Sequence, residues 1–164
     1  MGTFAVQIAK SFGTCVTGVD TTRKLDMLQS IGADRVIDYT QDDFTNNGQS
    51  YDLILDVAGY RSIFDYKRAL SPGGTYVMVG GSMARICQLM LLGPCVSMAG
   101  SKKMGILVHR TNKNDQNFFK ELFEAGKVVP VIDRRYPLSE VAEALRYLGE
   151  GHPKGKVVIN MEML

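Results

Sequence analysis

A carboxylate and two cations follow directly after the first short apolar run of the sequence. Side chains of opposite charge at this position could discriminate between two related ligands. Asp20 comes directly after Cys15–Val19, and Arg23 and Lys24 follow within one helical turn. At the end of such a strand an acidic side chain binds the ribose 2′-hydroxyl of NAD, whereas a cation favours the 2′-phosphate of NADP. The sequence carries both residue types. Alternatively, Asp20 caps the next helix, and Arg23 and Lys24 are solvated surface charges.

Glycine-rich ends of two later apolar runs provide further candidate ligand contacts. Val57-Ala58-Gly59 closes the run Asp52–Ala58, and Gly80-Gly81-Ser82 closes the run Thr75–Gly80. Ligands of open α/β sheets bind at the carboxyl edge of the strands, where these ends are expected to lie. The plainer alternative is that the glycines form tight turns, which holds whatever else they do.

Gly2 and Thr3 open a helical pattern at the start of the sequence. A glycine before a helix lets a phosphate approach the free N–H groups of the first turn. These two residues supply only the end of such an arrangement. Without further signals, one glycine before a helix is more often ordinary chain geometry.

Short apolar runs alternate with amphipathic stretches, and this alternation predicts a parallel α/β sheet with right-handed crossovers that would position the candidate residues. Strands are predicted at Cys15–Val19, Arg35–Tyr39, Asp52–Ala58, Thr75–Gly80, Met104–His109 and Lys156–Asn160. Helices are predicted at Gly2–Ser11, Thr22–Ile31, Ser62–Leu70, Asp115–Ala125 and Ser139–Leu148. No predicted strand precedes the first helix, so that helix lacks the element against which it should pack.

Local signals define several boundaries and faces. Gly32 can adopt the left-handed conformation that ends a helix, and Ser62 and Asp65 have capping-box spacing. Ser71-Pro72-Gly73-Gly74 is a strong turn signal. The run Asp52–Ala58 is typical of a strand that is covered on both faces. Inward-facing residues are predicted to include Ala5, Val6, Ile8, Ala9, Leu25, Leu28, Ile31, Phe118, Phe119, Leu122, Phe123, Val141, Leu145 and Leu148.

The composition excludes several classes of protein. The chain has 164 residues, of which 45% are hydrophobic and 22% charged, an ordinary globular mixture of single-domain size. Its net charge of +2 is too small to indicate a nucleic-acid partner. The most apolar stretch, Ile86–Gly100, is interrupted by Gly93 and Pro94 and is too short to cross a bilayer, so we expect no membrane partner.

Cysteine and histidine usage argues against a disulfide framework or a bound metal. Three cysteines without a CxxC pair favour a reducing, cytoplasmic setting. Cys15 is expected to be a small core residue, and Cys87 and Cys95 are expected to pack within a methionine-rich segment. His109 and His152 do not form a set of metal ligands, so zinc is not expected on this chain.

No catalytic residue is assigned. Asp38, Asp56 and Asp65 form no recognisable acid–base pair and are predicted to be loop, cap or surface residues. The sequence therefore indicates ligand binding more clearly than it indicates chemistry.

Four segments carry motifs in a fixed order: GTFAVQIAKSFGTCVTGVDTTRKLDMLQSIGADRVIDY, YDLILDVAG, LSPGGTYVMVGG and FFKELFEAGKVVPVIDRRYPLSEVAEAL…KGKVVI. The series resembles the medium-chain dehydrogenase/reductase superfamily, in particular its zinc-type alcohol dehydrogenase and quinone oxidoreductase-like branch, over essentially the whole chain. This resemblance implies a doubly wound parallel Rossmann-type sheet with NADP or NAD as the cofactor. It also implies hydride transfer between the nicotinamide and a carbonyl, alcohol, quinone or enone.

The resemblance assigns roles to the candidate residues. Gly2 matches the last glycine of the family's phosphate-binding turn. Thr21, Lys24 and Tyr39 match positions that contact the 2′-phosphate in NADP-using quinone oxidoreductases, whereas Asp20 looks like the NAD determinant. In the family, the loops after the strands Asp52–Ala58 and Thr75–Gly80 flank the nicotinamide.

The resemblance also implies an N-terminally truncated fold, because the family's catalytic domain, its zinc ligands and the first strand have no counterpart here. Residues 1–126 are then the truncated dinucleotide-binding domain, and residues 127–164 are the segment that returns to the catalytic domain. In the family's strand order the missing strand separates Cys15–Val19 from Asp52–Ala58, so we expect a split sheet or another segment in that position. A small-molecule substrate is expected only with the missing domain.

The segment Met83–Gly100 lies near the substrate cleft and the subunit interface in the family. A core or interface role is the stronger expectation for its methionines and leucines, and homodimer formation is possible. Two further hypotheses stay open. The chain could be a fragment or module without enzymatic activity, which the incomplete glycine turn supports, or a different Rossmann-type enzyme using S-adenosylmethionine, against which the closing motif argues.

Overall fold

The computed structural model describes residues 1–98, 100–108, 112–151 and 153–161. Within these ranges the chain forms six α-helices and seven β-strands. The helices are α1 (Gly2–Ser11), α2 (Thr22–Ser30), α3 (Ile63–Ala69), α4 (Met83–Met98), α5 (Lys113–Glu124) and α6 (Val141–Gly149). The strands are β1 (Thr17–Asp20), β2 (Arg35–Asp38), β3 (Tyr51–Asp56), β4 (Leu70–Met78), β5 (Lys103–Ile106), β6 (Ile132–Pro137) and β7 (Lys156–Asn160).

The chain divides into two compact units. Unit 1 comprises Met1–Asp38 and Lys113–Leu164, and unit 2 comprises Tyr39–Asn112. Unit 1 therefore contains α1, β1, α2, β2, α5, β6, α6 and β7, and unit 2 contains β3, α3, β4, α4 and β5.

All strand pairs in the described part of the chain are parallel, which confirms the predicted α/β class. The strands form three sheets with the orders β1-β2, β3-β4-β5 and β6-β7. A single doubly wound sheet is not observed in the described residues, and the predicted split between the strands β1 and β3 is observed. The sheets stay separate because no described strand pairs with both β1 and β3.

The core of unit 1 forms where α1 and α2 pack over β1 and β2. Its buried members are Val6, Leu28 and Ala33, and Val16, Leu25, Met27, Ile31 and Val36 pack around them. Gly32 has φ +106°, and the Ala33 N–H donates to the Leu28 carbonyl at 3.0 Å, so α2 ends as the sequence predicts.

Aromatic packing joins α1 to α5, although part of the predicted inward face is wrong. Phe119 and Phe123 meet the ring of Phe4 edge-on at centroid distances of 5.6 and 6.1 Å, and Leu122 is buried. Phe118 is 43% exposed and stacks on Phe12. It lies outward because α5 presents only one stripe to the core.

The predicted inward face of α6 is also wrong. Ala144 is buried, whereas Leu145 and Leu148 are 63% and 53% exposed. A 3-10 turn over Leu138–Glu140 precedes α6. The apolar spacing within α6 is that of a helix face, but burial depends on which neighbouring elements cover that face.

The side chain of Gln7 connects α1 to the segment that follows α5 through hydrogen bonds. Its side-chain amide donates to the Val129 carbonyl at 2.9 Å and to the Thr3 carbonyl at 3.0 Å, and its oxygen accepts from the Val129 N–H at 2.8 Å. Gln7 is 8% exposed, so these bonds are largely shielded from water. The side chain pairs with the Val129 backbone as a neighbouring strand would.

Replacing Gln7 with alanine is expected to lower the free energy of unfolding by about 1–3 kcal/mol, because both backbone groups of Val129 lose their partner. Chemical denaturation followed by circular dichroism measures the change. The matched control is Gln29→Ala on the exposed side of α2, which should stay within about 0.5 kcal/mol. Equal effects of the two substitutions would show that the Val129 contact is not stabilising.

In unit 2 the predicted caps are confirmed and the predicted turn is modified. The Ser62 hydroxyl accepts from the Asp65 N–H and the Asp65 carboxylate accepts from the Ser62 N–H, which forms the capping box of α3. The turn signal Ser71–Gly74 lies within the bounds of β4. There the register against β3 shifts between Tyr51 and Leu53, so the turn residues form an irregularity at the strand start.

The expectation that β3 is covered on both faces is wrong for the described residues. Ile54 is 9% exposed, but Leu53 and Leu55 on the opposite face are 62% and 43% exposed. Alternate side chains of a strand point to opposite faces, so packing covers one face only.

The segment after Ser82 forms helix α4, which the sequence pattern did not reveal because apolar residues occur all around it and Pro94 interrupts it. Leu89, Gly93 and Val96 are buried. Cys87 and Cys95 are exposed, contrary to the expectation that they pack internally, and Cys15 lies exposed before β1 rather than in the core. None of the helices in the described ranges combines membrane-spanning length with sufficient hydrophobicity.

Candidate functional site

In unit 1 the two candidate cofactor selectors contact each other. Asp20 ends β1, and the ammonium of Lys24 on α2 lies 3.6 Å from its Oδ1 atom. The same oxygen accepts a hydrogen bond from the Thr21 N–H at 2.8 Å. Thr21, not Asp20, occupies the N-cap position of α2, so the capping alternative for Asp20 is not observed. Arg23 lies exposed on the same turn.

Asp38 is a buried partner rather than a loop or surface residue as expected. It ends β2, is 8% exposed and accepts a hydrogen bond from the Thr22 hydroxyl at the start of α2. Burying a carboxylate is unfavourable unless it is hydrogen-bonded, and Thr22 supplies such a bond. The contact fixes the first turn of α2, and with it Arg23 and Lys24.

Gly2 and Thr3 form the first turn of α1. The N-cap residue is Met1, whose carbonyl accepts from the Phe4 and Ala5 N–H groups at 3.0 and 3.2 Å. A side chain at Gly2 would meet nothing within 4 Å in the described structure, so packing does not require glycine there. Burial and the charge of Lys156 lower the pKa of the Met1 ammonium. Independently of this ammonium group, the free N–H groups in the first turn of a helix suit an anion.

The second group of candidate residues forms a close-packed structure in unit 2, here called the glycine rim: Val57–Gly59 after β3 and Gly80–Ser82 after β4. A Cβ atom on Gly59 would lie 2.9 Å from the Gly80 carbonyl oxygen, and one on Gly80 would lie 2.8 Å from the Val57 oxygen. The glycines are therefore required because the two loop backbones touch. The tight-turn alternative explains only part of the pattern.

A carboxylate below the glycine rim was missed as a functional candidate. Asp56, the last residue of β3, accepts from the N–H groups of Ala58 and Gly59 at 3.2 and 2.8 Å. Its other oxygen accepts from the Tyr76 hydroxyl at 2.9 Å. The sequence contains no spacing signal for this network, because Tyr76 reaches Asp56 only when β3 and β4 pair.

Two buried tyrosines lie next to this carboxylate. Tyr66 on α3 and Tyr76 on β4 are 1% and 0% exposed, and their rings stack at 4.5 Å. Burial is the main cause that raises the pKa of each phenol. The hydrogen bond to Asp56 and the negative charge of Asp56 raise it further. Both therefore remain neutral hydrogen-bond donors at any physiological pH.

Tyr39, the remaining candidate, belongs to an aromatic and cationic cluster in unit 2. Its ring lies 5.3 Å from that of Tyr60, over which the Arg61 guanidinium lies at 5.3 Å. Arg61 also forms an ion pair with Asp43 at 2.8 Å. Burial opposes the charges of Asp43 and Arg61, but hydrogen bonding and mutual attraction outweigh it, so the pKa of Asp43 is lowered and that of Arg61 is raised.

Apart from Gly2 and Thr3, which form the first turn of α1, the structure places the candidate residues in two groups. Asp20, Thr21 and Lys24 are in contact within unit 1, and the glycine rim is continuous within unit 2, to which Tyr39 also belongs. The cofactor roles of all these residues stay predictions. Within the residues that the structure describes, no group of three or more histidine, cysteine or acidic side chains could hold a metal ion, and His109 and His152 lie outside those residues.

Sequence comparison identifies relatives across most of the chain. The profile of a family described as "Zinc-binding dehydrogenase" matches residues 31–159. The mitochondrial NAD(P)H oxidoreductase RTN4IP1 of Mus musculus is 32% identical over 98% of this chain and 45% of its own length. The chloroplastic quinone-oxidoreductase QR1 of Triphysaria versicolor is 30% identical over 97% of this chain and 49% of its own length. The chain therefore spans about half the length of the curated relatives it matches.

Structural comparison agrees on the fold. The quinone oxidoreductase from Coxiella burnetii superposes with a TM-score of 0.79 at 24% identity, over 97% of this chain and 49% of that protein. An NAD-dependent alcohol dehydrogenase superposes with a TM-score of 0.73 at 25% identity, over 97% of this chain and 47% of that protein. The described elements therefore correspond to part of this kind of fold.

Proposed function

Since the chain belongs to the zinc-binding dehydrogenase family, we propose that it is the cofactor-binding part of an NAD(P)-dependent oxidoreductase. The whole protein would transfer hydride between a nicotinamide and a carbonyl, alcohol, quinone or enone. The observation that carries the proposal is the contact of Asp20 with Lys24 at the carboxyl end of β1, where a nucleotide ribose is selected. The NAD(P)H and quinone oxidoreductases among the relatives support it.

The two selectors compete for the adenosine ribose. Without a nucleotide, Lys24 neutralises Asp20, so neither charge is left exposed and unpaired. A 2′-phosphate would draw Lys24 away from Asp20, with Arg23 as a second cation. A ribose 2′-hydroxyl would instead donate to Asp20. We favour NADP, because charge-assisted contacts to a phosphate are stronger than a single hydroxyl hydrogen bond.

We assign the other contacts as follows. The first turn of α1, with Gly2 and Thr3, receives the pyrophosphate, and the glycine rim supports the nicotinamide. The nicotinamide supplies the hydride chemistry when bound, and this chain binds it, orients it and excludes water from it. The described residues provide no donor set that fits zinc, so no step of the proposal involves a metal.

For the whole protein we propose a doubly wound, Rossmann-type parallel sheet. Residues 1–126 would then be the cofactor domain and residues 127–164 the segment that contacts a catalytic domain. Pairing of β6 with β7 supports a separate role for the second segment, because these strands form a sheet of their own. A cytoplasmic location and a homodimer stay predictions.

Titration of the purified chain with NADPH, NADH and S-adenosylmethionine tests the proposal. We expect NADPH to bind most tightly and S-adenosylmethionine not to bind. Saturable binding of S-adenosylmethionine alone would favour a methyltransferase. Absence of binding to all three would favour a fragment without nucleotide-binding function.

Replacing Lys24 with alanine is expected to weaken NADPH binding by about 1.5–3 kcal/mol, because one charge-assisted contact to the 2′-phosphate is lost. NADH binding should change little, since NADH lacks that phosphate. Isothermal titration calorimetry measures both dissociation constants.

The control for this substitution is Lys120→Ala, which removes an exposed lysine of α5 in the same unit. It should leave both dissociation constants within about twofold of wild type, since exposed ion pairs contribute little. Equal losses for NADPH and NADH in the Lys24 variant would contradict the assignment and favour Asp20 as an NAD selector.

A further inference from the structure

The carboxylate of Asp56 connects both halves of the glycine rim. Its side chain accepts from the N–H groups of Ala58 and Gly59 in the first loop. Its main-chain carbonyl accepts from the Val79 N–H at 2.8 Å, immediately before the second loop. One residue therefore determines where β3 ends, how the first loop turns and where the second loop begins.

The position of this carboxylate is itself fixed. The Tyr76 hydroxyl donates to its second oxygen, and the ring of Tyr76, which belongs to β4, stacks on that of Tyr66. Both phenols are buried, so rotation of the Asp56 side chain would leave buried hydroxyls without this acceptor. The network thus links the loop after β3 to the buried core of unit 2 through hydrogen bonds.

This arrangement also limits what the first loop can bind. The Ala58 and Gly59 N–H groups point toward Asp56, so they are not available to an anion. The negative carboxylate beneath them would repel a phosphate. The exposed side of the loop carries the apolar side chain of Val57. Such a surface suits a neutral, flat group rather than a phosphate.

We propose that Asp56 is a positioning residue that holds the glycine rim in the shape required by the uncharged nicotinamide half of the cofactor. This inference rests on the proposed function. On this proposal Asp56 affects binding of the nicotinamide half only through the shape of the glycine rim, without contacting the cofactor. The phosphate half is selected separately by the residues at the end of β1.

Three variants test the role of Asp56 in the full 164-residue chain. Asp56→Ala removes the acceptor, Asp56→Asn keeps one acceptor oxygen, and Tyr76→Phe keeps the stacked ring but removes one donor. The matched control is Asp52→Ala, an exposed aspartate near the other end of the same strand. Thermal unfolding of each variant establishes whether it folds.

The first readout is amide hydrogen exchange at Ala58 and Gly59, measured by NMR. We expect Asp56→Ala to accelerate exchange at these two amides by at least about tenfold, because their hydrogen bonds are lost. Asp56→Asn and Tyr76→Phe should cause smaller changes in the same direction, and Asp52→Ala should cause none. If Asp56→Ala does not fold, the Asn and Phe variants decide the outcome. Unchanged exchange at Gly59 in the folded variants would overturn the inference.

The second readout compares NADPH with adenosine 2′,5′-bisphosphate, which lacks the nicotinamide half. We expect Asp56→Ala to weaken NADPH binding by about tenfold, and binding of the bisphosphate by less than about twofold. Asp56→Asn should recover part of the NADPH affinity. Equal loss of both ligands would overturn the positioning role.

The two proposals fail in distinguishable ways. If wild-type protein binds neither NADPH nor the bisphosphate, the proposed function is overturned together with the ligand assignment of the rim. If the wild-type protein binds both ligands and the variants lose affinity for NADPH and for the bisphosphate equally, only the role of Asp56 is overturned.

Discussion

The 164-residue chain alone is expected to catalyse no measurable oxidation of NADPH with quinones, enones or aldehydes. The chain spans 45% of one oxidoreductase that it matches and 49% of another, and we place the substrate-binding groups in the remaining half. Without that half, water reaches the nicotinamide and the substrate is not held against it. Positioning of reactants supplies roughly 7–11 kcal/mol of barrier lowering when fully realised, so its loss removes at least about 10⁵-fold in rate.

Absorbance at 340 nm, the usual wavelength for following NADPH, measures this rate with each substrate class at about millimolar concentration, an ordinary upper range for KM. The comparison is the same chain joined to the N-terminal half of a matched quinone oxidoreductase, for which activity should appear. Heat-treated protein controls for chemical oxidation. Stoichiometric turnover by the pure chain would overturn the assignment of substrate binding to another domain.

Replacing Gly59 with alanine is expected to lower the free energy of unfolding of unit 2 by about 2–4 kcal/mol. The backbone at Gly59 has φ +30°, and the new Cβ atom would lie 2.9 Å from the Gly80 oxygen and 3.1 Å from the Met78 methyl. The left-handed conformation itself costs about 1 kcal/mol for alanine, and the backbone clash adds about 1–3 kcal/mol.

Gly48→Ala separates these two contributions. Gly48 has φ +78°, yet a Cβ atom there would meet nothing within 4 Å, so only the conformational cost of about 1 kcal/mol should appear. Denaturant titration of both variants measures the difference. If the two substitutions are equally destabilising, the contact between the two rim loops is not a constraint on the sequence.

Unpaired strand edges and exposed apolar side chains are the two features of a chain that promote association in solution. The segments 127–135 and Lys156–Asn160 contain strands, and unpaired strand edges promote association. In the structure β6 and β7 pair with each other, which satisfies one edge of each strand. Large apolar side chains are also exposed on β3 and α4, where Leu53, Met90 and Leu91 are 62%, 66% and 75% exposed.

Local patterns were reliable at two helix boundaries, where the physical cause is also local. Gly32 ends α2, and Ser62 and Asp65 form their capping box, because each motif is built from residues within one turn of the chain. The strand–helix alternation likewise predicted parallel pairing, since parallel strands need crossover connections. The family followed from the order of several such motifs, which the profile match over residues 31–159 confirms.

Faces and partners could not be predicted in the same way. Leu145 and Leu148 follow an apolar period, yet Ala144 is buried, because burial depends on which neighbour covers the helix. Helix α4 was hidden because apolar side chains surround it and remove the contrast on which a periodicity argument depends. Asp38 and Asp56 seemed unremarkable in sequence because their partners Thr22 and Tyr76 come from other elements.

The sequence by itself determined the α/β class, most helix and strand positions and the family, whereas the residues that could select a dinucleotide stay a prediction. These properties depend on residue order and on interactions within a few positions. Only the tertiary structure decided that the strands form three sheets, that Lys24 pairs with Asp20, and that Asp56 supports the glycine rim. Those results require contacts between separate elements, whose geometry is fixed when the backbone groups of neighbouring strands pair and side chains from different elements pack together.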